Sequence, residues 1–302
     1  MALVDMLTVS VAPGGEERPR DIELDLFGLT HRGKVRTDNQ DHFLLATVHH
    51  QIAVHGTSLP QADRLPLRGE RLATIMLVAD GVGGSAAGGD ASQLAAETVT
   101  RYVASTMRCY HTAGSADDVQ LLAAMRAAAL EAHAAVRGAS DARAVEGGPR
   151  TMATTLTLAM AIWPWAYVLQ VGDSRCYYYW DGELRQVTRD QTVAQDLVDG
   201  GVLKPERVRA SPFNSVLASS IGGDEASPVV TRLDISRRGC VLLLCSDGLT
   251  THASDADITL QLRSMRSSEQ LCRALLDLAL ERGGTDNVTV VAGRARGSGE
   301  NS

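Results

Sequence analysis

"VLLLCSDGL" (residues 241–249) carries a run of apolar side chains straight into an aspartate followed by glycine, and "TIMLVADGV" (residues 74–82) does the same earlier in the chain. Short apolar runs bounded by a turn residue read as buried strands. Each of these ends in a carboxylate with no cation close by in sequence. A buried, unpaired carboxylate is expensive, so something outside the chain must compensate the charge.

Working outward, the alternation in "DIELDLFGLTH" (21–31) is that of a half-buried strand, and "HFLLATV", "RLATIMLVA", "TTLTLAMAIW", "AYVLQVG", "RCYYYW", "PVVTRLDI", "CVLLLCS" and "NVTVVAG" read as further strands. Pro164, between Trp163 and Trp165, breaks one run and suits a hairpin turn. Helical spacing marks "DASQLAAETVTRYVAS" (90–105), with Ala91, Leu94, Ala95, Val99, Tyr102 and Val103 on one face. A second helix is expected from a capping-box-like start at Ser115 and Asp118 to a stop at Gly138. A third covers "SSEQLCRALLDLALERGG" (267–284), and a shorter one "TVAQDLVDGG" (192–201).

Strands come in runs and helices in pairs, without strict alternation. That pattern predicts an α+β fold with antiparallel sheets covered by helices. With no internal repeat and no low-complexity linker, one domain is expected over residues 21–295. A flexible lead-in at 1–20 precedes it and a disordered tail at 296–302 follows; the domain is interrupted by a long hairpin insertion at 49–70 and a mobile flap at 200–223.

The chain has 302 residues, a formal charge of −7 and no long Lys/Arg run, which argues against nucleic-acid binding. Five cysteines without a C-x-x-C spacing suit neither a disulfide framework nor a zinc ribbon, and read as small core residues in a reducing compartment. Cys240 and Cys245 should face opposite sides of their strand. No stretch approaches the roughly 20 apolar residues that span a membrane, and "MALVDMLTVS" lacks a basic leader, so a cytoplasmic location is expected.

Short motifs that mislead can be set aside. "GLTHRGKV" (28–35) imitates a phosphate-binding loop, but Val35 stands where a magnesium-ligating hydroxyl belongs. "DADIT" (255–259) follows "THAS" rather than a buried strand, so Ser254 reads as a helix cap. The eight histidines form no metal motif; His49, His50 and His55 fall in the insertion, where a solvated loop is the simpler home.

What remains is a set of aspartates at strand boundaries: Asp41, Asp80, Asp173, Asp247 and Asp286, the last followed by Asn287. One such residue is an ordinary turn or cap. Several are different, because strands packed side by side bring their ends together, and clustered carboxylates cannot all stay ionised without cations. An all-oxygen ligand set suits hard ions, Mg²⁺ or Mn²⁺. Gly81 and Gly248 would let backbone carbonyls approach an ion.

In order and spacing, "GKVRTDNQD", "VADGVGG", "ATTLTLAM", "VGDSRCYYYWDGELRQVTRDQT", "LLLCSDGLT" and "GGTDNVTVV" resemble the metal-dependent Ser/Thr protein phosphatases of the PPM, or type 2C, family in its bacterial form. The resemblance spans residues 22–293 and implies a four-layer α-β-β-α sandwich with two central antiparallel sheets. By the same resemblance, Asp80 bridges two metals with the Gly81 carbonyl on the second. Asp247 and Asp286 ligate the first metal, Asp41 lies around the second, and Asp173 helps hold a possible third. Arg36 matches the arginine that binds the substrate phosphate.

The implied reaction is hydrolysis of phosphoserine and phosphothreonine in proteins by direct attack of a water activated between two metals. The substrates implied are those of a Ser/Thr protein kinase, in signal transduction. The alternative is a non-catalytic module that binds phosphoproteins on the same fold. Departures from the family pattern are Gln40 in place of a common Glu, Ser85 in place of a common His and Gly89 in place of a common Glu. Val82 stands where eukaryotic members carry a His proposed as general acid, so no general acid is assigned.

Overall fold

Apolar strands that alternate between two environments need a partner on each face, and here each sheet has one. The computed structural model describes residues 17–51, 68–82, 86–112, 118–145 and 152–297. The first sheet has the order β1 (Leu24–His31), β12 (Val288–Ala295), β11 (Val241–Cys245), β8 (Arg175–Trp180) and β9 (Glu183–Gln186). The second runs β10 (Val229–Asp234), β7 (Trp165–Val171), β6 (Leu156–Ile162), β3 (Arg68–Ala79) and β2 (His42–Gln51). All pairings are antiparallel, and the short strands β4 (Gly81–Val82) and β5 (Ala153–Thr154) form a small ladder beside the second sheet.

Three hydrophobic layers fill this frame. Helices α1 (Ala86–Thr112) and α2 (Asp118–Val145) cover the second sheet through Ala91, Ala95, Val99, Ala128, Ala132 and Val136. Helices α5 (Asp255–Arg263) and α6 (Ser268–Glu281) cover the first through Ile258, Leu262, Leu271 and Leu275. Between the sheets lie Met76, Val78, Val168, Leu242, Leu244 and Val291. Each buried aliphatic side chain contributes on the order of 2 kcal/mol. This is the expected α-β-β-α sandwich. The alternation on β11 is strict: Cys240 and Leu244 face the other sheet, Leu243 and Cys245 face the helices, so the two cysteines point to opposite sides.

Several local expectations need correction. Helix α1 begins at Ala86 rather than Asp90, with Gly88 and Gly89 inside it; these poor helix formers are tolerated because Gly88 packs against Gly81 and Gln40. Helix α2 does not stop at Gly138. It continues to Val145, burying Ser140 and pairing Arg143 with Asp90. Strand β9 was not expected, although Asp181 and Gly182, both at positive φ, form the two-residue turn that favours a hairpin. His49 is on β2 rather than in a loop, with its ring packed near Asp21 and Gly69. Ser115, Ser85, His55 and residues 52–67 of the insertion lie outside the described residues, as do 1–16 of the lead-in and 298–302 of the tail.

The end of the lead-in is tied to the sandwich: Arg71 donates to the Pro19 carbonyl and Arg238 to that of Glu17. Helix α3 (Val193–Asp199) leads into 200–223, where there is a 3₁₀ turn (Pro205–Ala210) and backbone bridges join Leu217 to Thr192 and Ile221 to Thr154. Among the described residues no helix is long and apolar enough to cross a membrane.

Candidate active site

One end of the sandwich collects the chain's strand-boundary aspartates, because strands from both sheets finish there. Asp80 follows β3. Its carbonyl accepts from Thr154 Oγ1 (2.8 Å) and the Thr155 amide (2.9 Å), and its own amide donates to Thr155 Oγ1 (3.1 Å). Asp173 sits in the turn from β7 to β8, and Asp286 lies just before β12. Asp247 does not merely end a strand: it opens α4 (Asp247–Thr250), a single helical turn.

Asp41 is buried just ahead of β2. Its Oδ2 accepts from Ser246 Oγ and Thr289 Oγ1, both at 2.7 Å, and its Oδ1 is buried with no hydrogen-bond partner among the described residues. A cleft of about 170 Å³ is lined by Arg36, Asp38, Asp80, Gly81, Asp173, Asp247, Asp286 and Asn287, with Ser215 and Leu217 of the 200–223 segment on its wall.

The two glycines also meet a packing requirement that the sequence did not announce. A Cβ on Gly81 would lie 2.4 Å from the Gly88 carbonyl oxygen, and one on Gly248 would lie 1.9 Å from that of Asn287. Both positions therefore require glycine so that backbone segments can close together behind the aspartates.

Electrostatics sets this end apart. Burial, then the neighbouring charges of Asp41, Asp247 and Asp173, push the Asp80 carboxyl well above the usual range. Burial and the Asp247 charge do the same to Asp173, and burial with the Asp286 charge raises Asp247. Burial lifts Asp41 to about 6 even though Thr289 and Ser246 hydrogen-bond to its charged form. Arg36 lines the same cleft, and its Nη2 donates to Asp286 Oδ2 at 2.7 Å; that bond raises its own pKa.

This environment fits hard divalent cations. Carboxylates that mutually suppress ionisation, a buried Oδ1 left over, and donors that are all oxygen call for Mg²⁺ or Mn²⁺ rather than a softer ion. As placed, no three Asp, Glu, His or Cys side chains among the described residues already form a closed cage, and Asp286 is turned to Arg36. The residues are brought together on one cleft without forming a closed ligand set.

All the expected positions thus reach one place: Arg36, Asp80, Gly81, Asp173, Asp247 and Asp286 line the cleft, and Asp41 sits directly behind it. Sequence reading missed the polar frame. Asn287 is its centre: Oδ1 accepts from the Gln40 amide, and Nδ2 donates to the carbonyls of Arg32 and Asp38. It thereby binds the Arg36 loop to the Asp286 strand. Gln40 is buried and its carbonyl accepts from Ser92 Oγ, so it acts first as a structural link to α1. The only sequence signal for this frame was hydroxyl residues inside apolar strands, such as Thr155, Ser246 and Thr289.

Comparison with known proteins points the same way. The family model described as Protein phosphatase 2C matches residues 55–286. A serine/threonine protein phosphatase PstP of Mycobacterium tuberculosis is 37% identical over 219 residues, 72% of this chain, and the chain spans 40% of that relative's length. Protein phosphatase PhpP of Streptococcus pneumoniae is 30% identical over 264 residues, covering 87% of this chain and 94% of PhpP. Among solved structures, the catalytic domain of PstP in complex with two manganese ions superimposes with a TM-score of 0.67 at 30% identity, covering 91% of this chain and 99% of the other.

Proposed function

The chain belongs to the protein phosphatase 2C family, and we propose that it is a metal-dependent hydrolase of phosphoserine and phosphothreonine in proteins. The observation that carries this reading is the convergence of Asp80, Asp173, Asp247 and Asp286 with Arg36 on one cleft. Asp80, Asp247 and Asp286, with the Gly81 carbonyl and Asp41 behind them, would hold a pair of cations, Mn²⁺ or Mg²⁺; Asp173 would contribute to a third. When bound, such a pair supplies the Lewis acidity that makes water a competent nucleophile near neutral pH.

The chain's own groups do the rest. Arg36 is about half exposed at the cleft, with a planar fork that can grip two phosphate oxygens and fix the line of attack. Without a cation its guanidinium is bonded to Asp286 Oδ2, a contact that a cation on Asp286 would release toward the substrate. Asn287 fixes the loop that carries Arg36, so little ordering is left for the encounter with substrate. In the proposed displacement, water oxygen bonds to phosphorus as the bond to the serine or threonine oxygen breaks, the proton lost by the water is balanced by one gained by the departing oxygen, and no phosphoenzyme forms. Among the described residues the cysteines agree with this: Cys176, Cys240, Cys245 and Cys272 are buried, and burial raises their thiols, so none of the four offers a thiolate to the cleft.

Substrates would be phosphorylated proteins, placing the chain opposite a Ser/Thr protein kinase. Phosphate release from phosphopeptides with Mn²⁺, without it and after chelation tests the reading. Release that requires Mn²⁺ and disappears in Asp247→Ala supports it. A chain that binds phosphopeptides but releases no phosphate under any condition would instead be a binding module.

A further inference from the structure

Asp173 stands apart from the other acids because its turn is held by a segment the catalytic reading leaves unused. The turn is narrow: Gly172 has φ +100°, and a Cβ there would lie 2.8 Å from Thr155. Gln191 clamps it from outside. Its amide donates to the Gly172 carbonyl (3.1 Å), and its Oε1 accepts from the Gly172 amide (2.8 Å). The same residue reaches the other way. Its carbonyl accepts from the Ala218 amide (2.9 Å), and its Nε2 donates to the Ser227 carbonyl (2.9 Å).

The backbone of Gln191 thus joins the Asp173 turn to Ala218 in the 200–223 segment, and its side chain joins the same turn to Ser227, whose amide donates to Ser219 Oγ (2.9 Å). Ala218 directly follows Leu217, which lines the cleft and bridges Thr192. The neighbouring residue supplies a separate anchor, since Arg175 binds Asp190 through Nε (2.8 Å) and Nη2 (2.6 Å). That pair keeps the segment on the sheet whatever occupies position 191.

We propose that Gln191 is a positioning residue that links the Asp173 turn to the flap at 215–218, so that a cation held by Asp173 and a phosphopeptide lying along the flap strengthen each other's binding. The physical basis is mutual: a peptide that fixes Leu217 and Ala218 fixes Gln191, which fixes the backbone on which Asp173 is mounted. A cation that fixes Asp173 sends the same restraint back, and linkage requires the two effects to be equal. The inference rests on the phosphatase reading for the identity of the two ligands, while the coupling itself can be measured without turnover.

The test uses the full chain and calorimetric Mn²⁺ titration, with and without a peptide carrying a non-hydrolysable phosphonate in place of phosphoserine. In the unaltered protein the peptide should tighten the weakest Mn²⁺ step about ten-fold; Gln191→Leu cuts the side-chain path through Ser227 and Ser219 but keeps the backbone one, and the tightening should fall to about three-fold. Gln191→Glu retains an acceptor for the Gly172 amide and loses the donor to Ser227. Its added charge beside the Asp173 turn should tighten Mn²⁺ alone, while the further tightening by peptide should fall as in the leucine variant, and it serves as the readout should the leucine variant fail to fold.

Undiminished tightening in both variants overturns the proposal, as does a parent protein that shows none. Equal loss of Mn²⁺ affinity with and without peptide, unrescued by glutamate, would make Gln191 a structural brace only and overturns it too. Failure of the parent to hydrolyse phosphopeptides would remove the catalytic reading but leave this titration decisive for the coupling.

Discussion

Asp41→Asn separates a carboxylate kept for cations from one kept for structure. Asp41 is buried, and its carboxyl is raised from an ordinary 3.8 to about 6. At about 1.4 kcal/mol per pH unit, holding it ionised at pH 7.5 costs the folded protein about 3 kcal/mol when no cation is bound. Asparagine removes that penalty. Its carbonyl can still accept from Ser246 and Thr289, and its amide would stand where Oδ1 now has no partner, facing a cluster that includes Asp80.

Weaker hydrogen bonds to a neutral acceptor take back about 1 kcal/mol. The net gain in chelator should be about 2 kcal/mol, or roughly 4 °C in Tm. The sign of the pH dependence follows. An acid whose folded pKa is raised destabilises the fold above that pKa, and the penalty fades as pH falls through 6 toward 4. The advantage of Asp41→Asn should therefore shrink between pH 7.5 and 4. With Mn²⁺ present the order reverses, because the parent gains ligand stabilisation that the variant cannot match. Thermal unfolding followed by circular dichroism, in chelator and in Mn²⁺, reads all of this. A variant less stable than the parent in chelator at pH 7.5 would refute the reasoning and make Asp41 a structural hub.

Other outcomes follow from the same geometry. Arg36→Lys keeps the charge but loses the planar fork, so kcat/KM for a phosphopeptide should drop about a hundred-fold, as steady-state kinetics would show; an unchanged value would remove Arg36 from phosphate binding. Gly248→Ala places a Cβ 1.9 Å from the Asn287 carbonyl oxygen and should cost about 3 kcal/mol or more in urea unfolding. Gly138→Ala, with nothing within 4 Å of the added carbon, should instead stabilise by about 0.5–1 kcal/mol, and equal effects at the two glycines would contradict the packing described for α4.

Much of the site was legible in the sequence because its signal is local. A run such as "LLLCSDG" declares both a buried strand and a charge at its end, and the fold brings such ends together. Strand alternation likewise sorted Cys240 and Cys245 onto opposite faces. Long-range polar partners carry no local signal. Nothing in "DNVTV" indicates that Asn287 holds the Arg32–Asp38 loop, or that Thr289 bonds to a carboxylate far away in sequence. Glycine misled in both directions, for Gly138 does not end its helix and Gly88 does not delay the start of its own. In each case tertiary packing overrode propensity.

The decisive observation is a crystal structure in Mn²⁺ with diffraction collected at the manganese absorption edge. Anomalous density between Asp80, Asp247 and Asp286, with Arg36 released toward the open cleft, is the result expected. A cleft that stays free of metal at saturating Mn²⁺, with Arg36 still bound to Asp286, would contradict it.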